Sequence, residues 1–229
     1  NGYNGVGVIT APENPAGRGK TLTEPAVKKY AVEQGLKVMQ PEKLKSPAFL
    51  DELQALKADL QVVVAFRMLP EAVWNMPPMG TFNLHGSLLP QYRGAAPLNW
   101  AIINGETKTG VTTFLLNHEI DTGKIIFKEE IEIGGNDTVG EIHDQLMEIG
   151  AQLVIKTVDA LAEGSVETVP QDELVSGEEM RHAPKIFKED CKINWGKDAT
   201  SIRNLIRGLS PFPAAWTTLV NRKIGSEIA

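Results

Sequence analysis

Asn83-Leu84-His85-Gly86-Ser87-Leu88-Leu89-Pro90, followed by Gln91-Tyr92-Arg93-Gly94-Ala95-Ala96-Pro97, decides how this chain is read. Thr81 to Leu84 reads as a strand that breaks at Gly86. A loop punctuated by Pro90 and Gly94 then runs to Pro97, which suits the first turn of a helix. In an open α/β sheet, ligands bind beyond the carboxyl ends of the strands. Asn83 and His85 stand two apart, so in extended chain their side chains point the same way. An amide can donate to a developing oxyanion, and an imidazole can move a proton near neutral pH. The two residues therefore form a candidate catalytic pair.

Strands and helices alternate on either side of this segment. Val6 to Ile9 is expected as a buried strand, Ala26 to Glu33 as a helix after Pro25, and Lys37 to Met39 as a short strand. Ser46-Pro47 reads as an N-cap and first helical residue, with Phe49, Leu50, Leu53 and Leu56 at helical spacing. Leu60 to Ala65 is a near-continuous apolar run, as expected of a parallel strand covered on both faces. Pro97 to Ile103 reads as a helix. Thr109 to Leu116 and Lys124 to Ile133 read as an antiparallel pair. Thr138-Val139-Gly140-Glu141 has capping-box spacing and opens a long helix with Val139, Ile142, Leu146, Ile149 and Leu153 on its apolar face. Polar residues dominate from Gly164 to Asp190, which reads as a linker. Asp198 to Leu209 is a short helix ended by Ser210-Pro211-Phe212-Pro213, and Ala215 to Val220 begins another strand. The alternation predicts an α/β fold, doubly wound and Rossmann-like, with a mostly parallel sheet and an antiparallel extension.

The 229 residues suit one domain plus part of another, and 42% hydrophobic with 23% charged residues are globular values. A single cysteine, Cys191, excludes an internal disulfide framework and a cysteine-based zinc site, and it points to a reducing compartment. No apolar stretch approaches a membrane span, so no membrane partner is expected. Residues 181–229 carry nine Lys or Arg and four Asp or Glu, a net +5 within a chain of −6, which leaves −11 for residues 1–180. A basic carboxyl segment on an acidic body is compatible with a polyanionic partner and equally with a solvated linker. In the loop Asn14-Pro15-Ala16-Gly17-Arg18-Gly19-Lys20, two glycines allow close backbone approach and two cations suit phosphates.

A second segment, Asn117-His118-Glu119-Ile120-Asp121-Thr122-Gly123, lies in the loop between the two apolar runs of the antiparallel pair. His118, Glu119 and Asp121 match no structural metal spacing, and no metal is expected. Together the two segments resemble the active-site segments of the folate-dependent formyltransferases. Over nearly its whole length the chain is similar to the methionyl-tRNA formyltransferases among them. The 14–20 loop and Gly208-Leu209-Ser210-Pro211-Phe212-Pro213-Ala214-Ala215-Trp216 carry the distinction from the sugar-nucleotide branch. Glycinamide ribonucleotide formyltransferases usually carry Pro where this chain has Gly86.

The resemblance implies a catalytic trio of Asn83, His85 and Asp121. It implies 10-formyltetrahydrofolate as co-substrate, held by Phe66 and Met68 in the stretch Ala65 to Pro70, by Ser87, Leu88, Leu89 and Pro90, and by Asn117, Glu119 and Ile120. Arg67, in the first of these stretches, reads as a solvated side chain with no role. Arg18 and Lys20 are implied as contacts to initiator methionyl-tRNA. The implied activity is formyl transfer to that tRNA for translation initiation, by a cytoplasmic monomer. Alternatives are a sugar-nucleotide formyltransferase and a non-catalytic folate- or tRNA-binding fragment. The implied domains are a catalytic domain over 1–163, a linker over 164–182, and over 183–229 the start of a tRNA-binding domain, a small OB-like β-barrel. The chain is expected to lack the family's first strand and helix and most of that second domain, and to be inactive on its own.

Overall fold

Pro25 ends one extended stretch and starts a helix, and Ser46-Pro47 does the same again, so the amino-terminal third is punctuated by its own sequence. A computed structural model of the chain describes residues 2–13, 15–16, 21–22, 24–175, 177, 179–221 and 226–228. They fall into two compact units, one of residues 1–61 and 66–81, the other of residues 62–65 and 82–229.

In the first unit β1 (Val8–Ile9) runs parallel to β4 (Val38–Met39), with Val8 opposite Val38 and Ile9 opposite Met39. The short strands β2 (Pro15–Ala16) and β3 (Thr21–Leu22) pair antiparallel. The helices are α1 (Ala26–Glu33), α2 (Pro47–Ala55) and α3 (Glu71–Trp74). Ser46 caps α2 as its sequence predicts, its hydroxyl accepting the Phe49 N–H at 3.4 Å. Phe49 and Leu53, one helical turn apart, then face Met39, Leu44 and Val73 in one apolar cluster.

The second unit is built on a four-stranded sheet in the order β5 (Gln61–Val64), β6 (Thr81–His85), β8 (Lys108–Leu115), β9 (Ile125–Glu132). The β6–β8 and β8–β9 pairs are antiparallel. Because parallel pairing is found in β1–β4 and in the short pair β7 (Arg93–Gly94) with β10 (His182–Ala183), the fold is α/β with mixed pairing. The register sets Asn83 opposite Phe114 and His85 opposite Thr112. Behind the sheet, α5 (Val139–Glu163) buries Val139, Ile142, Leu146 and Leu153, the face its spacing predicts. Its capping box is closed: Thr138 Oγ1 accepts the Glu141 N–H at 3.3 Å, and the Glu141 carboxylate accepts the Thr138 N–H at 2.8 Å. Gly150 lets the helix approach the sheet; a Cβ there would sit 2.8 Å from Leu84 Cδ2. Two further helices, α4 (Pro97–Ile103) and α6 (Ala199–Gly208), pack together, with Asn99 donating to the Gly208 carbonyl at 2.8 Å. The strands β11 (Leu219–Asn221) and β12 (Ser226–Ile228) pair antiparallel.

One expectation needs correction. The run Leu60 to Ala65 is not covered on both faces: β5 ends the sheet order, and Val62 and Val64 are 43% and 55% exposed. A β-branched run marks a strand, but it does not report how many layers cover it. Arg67 is exposed, as expected of a solvated side chain. Its guanidinium donates to the carbonyl of Glu42 at 3.0 Å and to that of Pro41, and lies 5.5 Å from the centre of the Phe66 ring. The polar stretch after α5 is pinned in place. Val169 and Ile125 exchange two 2.9 Å backbone hydrogen bonds, and β10 joins β7. Polar composition does not separate side chains in water from side chains that satisfy buried backbone.

Candidate active site

His85 ends β6, and its ring is 93% buried, with Nε2 2.9 Å from the carbonyl oxygen of Tyr92. A carbonyl can only accept, so Nε2 carries the hydrogen. In the neutral ring Nδ1 therefore holds the free lone pair, and it faces Asp121 Oδ2 at 3.9 Å. That separation suits an ion pair once Nδ1 is protonated, but it is long for a direct hydrogen bond. Phe114 stands edge-on to the ring at 6.5 Å.

The Tyr92 carbonyl is itself fixed. Tyr92 has φ +61, its N–H donates to the Arg181 carbonyl at 2.7 Å, and its hydroxyl donates to Glu106 at 2.5 Å. Arg181 also pairs with Glu106. Burial pushes the Tyr92 phenol pKa up, which keeps the hydroxyl a donor.

Asp121 sits at φ +56, in the left-handed region uncommon for a side chain other than glycine. Asn117 folds the loop around it, its Oδ1 accepting from the Glu119 N–H and the Thr122 hydroxyl, each at 3.0 Å. Gly123 must be glycine, because a Cβ would lie 1.6 Å from the Leu115 carbonyl oxygen. The Gly94 N–H donates to Asp121 Oδ2 at 3.0 Å. Gln171 donates to the Asp121 and Gly123 carbonyls.

Asn83 lies two residues before His85 on β6, and its Oδ1 is buried with no hydrogen-bond partner. An unpaired buried acceptor costs about 1–3 kcal/mol, so a ligand that brings an N–H here relieves that cost. Ser87 to Pro90 is locked from below. Thr112 Oγ1 donates to the Ser87 carbonyl at 2.6 Å and accepts the Leu89 N–H at 3.2 Å, while the Leu89 side chain is buried with Phe114 and Ile125. Those two backbone groups of the expected folate segment are thus engaged within the protein. The Leu88 carbonyl is engaged too, accepting from the Gln91 N–H at 3.2 Å.

The structure therefore brings His85 and Asp121 together, with Asn83 on the same strand. Ile120, on the same loop as Asp121, is 60% exposed, and Glu119 is exposed beside it. Phe66 and Met68 belong to the first unit, where Phe66 is half-buried against that unit's core and Met68 is exposed. Arg18 and Lys20 lie outside the described residues. Sequence reasoning missed Tyr92, Thr112, Arg93 and Gln171. Tyr92 and Arg93 stand in the string quoted first without a role of their own there, and Thr112 is one of two hydroxyls, with Thr113, in the run Val111 to Leu116, read as apolar. Among the described residues no cluster of three or more His, Cys, Asp or Glu side chains could hold a metal ion. A recess of about 410 Å³ beside α6, lined in part by Trp195, Ile202 and Arg203, includes none of the site residues.

The family model described as formyl transferase matches residues 1–158, and the one described as formyl transferase, C-terminal domain, matches residues 185–225. The methionyl-tRNA formyltransferase of Parabacteroides distasonis is 61% identical over 222 residues, 96% of this chain and 68% of that protein. The corresponding protein of Bacteroides fragilis is 59% identical over 220 residues, with the same two coverages. Among solved structures, a sugar N-formyltransferase from Shewanella aligns with TM-score 0.67 at 24% identity, over 87% of this chain and 77% of that one. HypX from Aquifex aeolicus in complex with tetrahydrofolic acid aligns with TM-score 0.65 at 22% identity, over 86% of this chain and 33% of that one. At these identities the two structures speak for the fold alone, whereas the sequence likeness over 96% of this chain speaks for descent. The chain belongs to the formyl transferase family, among the methionyl-tRNA formyltransferases.

Proposed function

We propose that this protein transfers the formyl group of 10-formyltetrahydrofolate to the α-amino group of methionyl initiator tRNA. The observation that carries the reading is the juxtaposition of an orphaned buried amide oxygen, Asn83 Oδ1, with a histidine of fixed tautomer whose free Nδ1 faces a carboxylate. The 61% identity to a protein of that name supports the choice of acceptor over the amino-sugar nucleotides of the alternative.

The donor supplies an electrophilic formyl carbon on N10, and the residues of the chain do the rest. Asn83 Nδ2–H donates to the negative charge that develops on the formyl oxygen, and Asn83 Oδ1 accepts an N–H from the attacking amine. His85 Nδ1 takes the proton that the amine sheds as the new C–N bond forms. It returns a proton to the folate nitrogen as the old C–N bond breaks. While protonated, the imidazolium donates to the Tyr92 carbonyl through Nε2 and faces the Asp121 carboxylate through Nδ1, so both ring nitrogens are compensated. In this reading Ser87 to Pro90, with Asn117, Glu119 and Ile120, are folate contacts of the second unit, and Phe66 and Met68 are candidate folate contacts of the first. Arg18 and Lys20 hold acceptor-stem phosphates.

In this reading residues 1–163 are the catalytic domain, 164–182 the connection, and 183–229 the start of a tRNA-binding domain of the OB-like barrel type. The enzyme is a monomer and works in the cytoplasm, where its tRNA is used. No helix among the described residues is long and apolar enough to cross a membrane. Incubation of the full-length protein that contains this chain with 10-formyltetrahydrofolate and either methionyl initiator tRNA or an amino-sugar nucleotide tests the assignment. Formyl-methionyl-tRNA should form, and the sugar acceptor should remain unmodified. Formylation of the sugar alone would refute the assignment.

A further inference from the structure

We infer that Gln171 is a positioning residue for catalysis, its amide holding the Asp121 loop so that the carboxylate faces His85 Nδ1. The inference rests on the reading of Asp121 as the partner of His85.

Gln171 opens a 3-10 turn, Gln171–Leu174, directly after Pro170, and the backbone bridge between Val169 and Ile125 anchors it beside β9. Its side chain is 98% buried in a stretch of otherwise exposed polar residues. The Nε2 group donates to the Asp121 carbonyl at 2.9 Å and to the Gly123 carbonyl at 2.8 Å. The Oε1 atom accepts from Arg93 Nε at 3.0 Å and Nη2 at 2.6 Å. Both donors and both lone pairs are filled, so the orientation of the amide is dictated by chemistry: only its NH2 can face two carbonyls, and only its oxygen can face a guanidinium.

Arg93 is the neighbour of Gly94, whose N–H holds Asp121 Oδ2. Asp121 is thus gripped at both ends, its main chain by Gln171 and its carboxylate by Gly94, and Arg93 joins the two grips. The left-handed backbone of Asp121 explains why a grip is needed. That conformation persists in a non-glycine residue only when its surroundings over-determine it. At 3.9 Å from Nδ1 the carboxylate is already at the limit of a useful ion pair, so a shift of about 1 Å is enough to lose it, and displacements of that size can cost up to about a hundredfold in rate.

Two substitutions separate positioning from general support of the fold. Gln171→Met keeps the length of the side chain and removes both ends of the amide. Gln171→Glu keeps the pairing with Arg93 but replaces the two donors to the loop by a carboxylate oxygen, which the Asp121 and Gly123 carbonyls repel. In the full-length protein that contains this chain both should lower kcat about tenfold, with KM for the folate and for the tRNA within about twofold of wild type. In an Asp121→Asn background, Gln171→Met should lower kcat less than a further twofold, because the group it positions is already disabled. Gln171→Glu keeps the test intact should the Met variant not fold. Unchanged kcat in both variants, a rise in KM alone, or an undiminished tenfold loss in the Asp121→Asn background would overturn the proposal. If Asp121→Asn itself leaves kcat unchanged, the role of Asp121 fails first, and the positioning role of Gln171 fails with it.

Discussion

The backbone N–H of Gly94 donates to Asp121 Oδ2 at 3.0 Å, which ties the loop after the Asn83–Pro90 segment to the loop that supplies the carboxylate. Gly94 is held at φ +128, and a Cβ there would stand 2.4 Å from the Ala183 carbonyl oxygen on the neighbouring strand. Gly94→Ala should therefore cost about 2–4 kcal/mol of stability and lower turnover at the same time. Thermal unfolding and formyl-transfer rates measured on one preparation check this. A Tm equal to that of wild type would mean that the backbone accommodates the methyl group.

Asp121→Asn is close to isosteric, and its side-chain oxygen can still accept the Gly94 N–H. Turnover should fall about tenfold or more, since a neutral amide no longer compensates a protonated His85 Nδ1, while Tm moves by no more than about 2 °C. Melting curves set beside steady-state kinetics decide this. A loss of Tm in step with the loss of rate would make Asp121 a fold residue.

These two predictions draw on different parts of the sequence. The Asn83–Pro90 string, the Thr138 capping box and the helical spacing to Leu153 were all legible, because each is a local pattern whose partners lie within a few residues. What supports the site was not. Tyr92 acts through its main-chain carbonyl, which any residue has, and Gln171 reaches Asp121 across fifty positions from a stretch whose polarity reads as a solvated linker. The exposure of Val62 and Val64 was hidden for a related reason: a β-branched run looks the same with one face covered or two.

The long helix gives a pH prediction. Hydrogen bonds from the Thr138 backbone and hydroxyl hold the Glu141 carboxyl below its ordinary pKa. A folded pKa below the unfolded value adds stability above the ordinary glutamate range, and that stability disappears as pH falls through the lowered pKa. Glu141→Gln should thus melt below wild type at pH 7, and the two curves should converge in acid. Thr138→Ala, which removes the cap itself, should cost about 1 kcal/mol. Unfolding curves recorded from neutral pH down to pH 3 test both; parallel curves for wild type and Glu141→Gln would refute the carboxylate contribution.

Arg18→Ala should weaken use of tRNA and reduce the salt dependence of tRNA binding by about one phosphate contact. Reaction with a small methionyl ester should not change, because Arg18 is not assigned to the chemical centre. Binding isotherms over a range of salt, paired with the ester reaction, make the comparison; equal losses on both substrates would place Arg18 in the fold or the folate site instead.

The central claim is that Asn83 and His85 carry the chemistry at the end of β6. It is tested most directly by single-turnover formyl transfer from 10-formyltetrahydrofolate to methionyl initiator tRNA, comparing wild type with His85→Ala and Asn83→Ala at saturating folate. The account predicts a rate at least about a hundredfold lower in each variant, with folate affinity within about threefold of wild type. Near-normal transfer by either variant would contradict it.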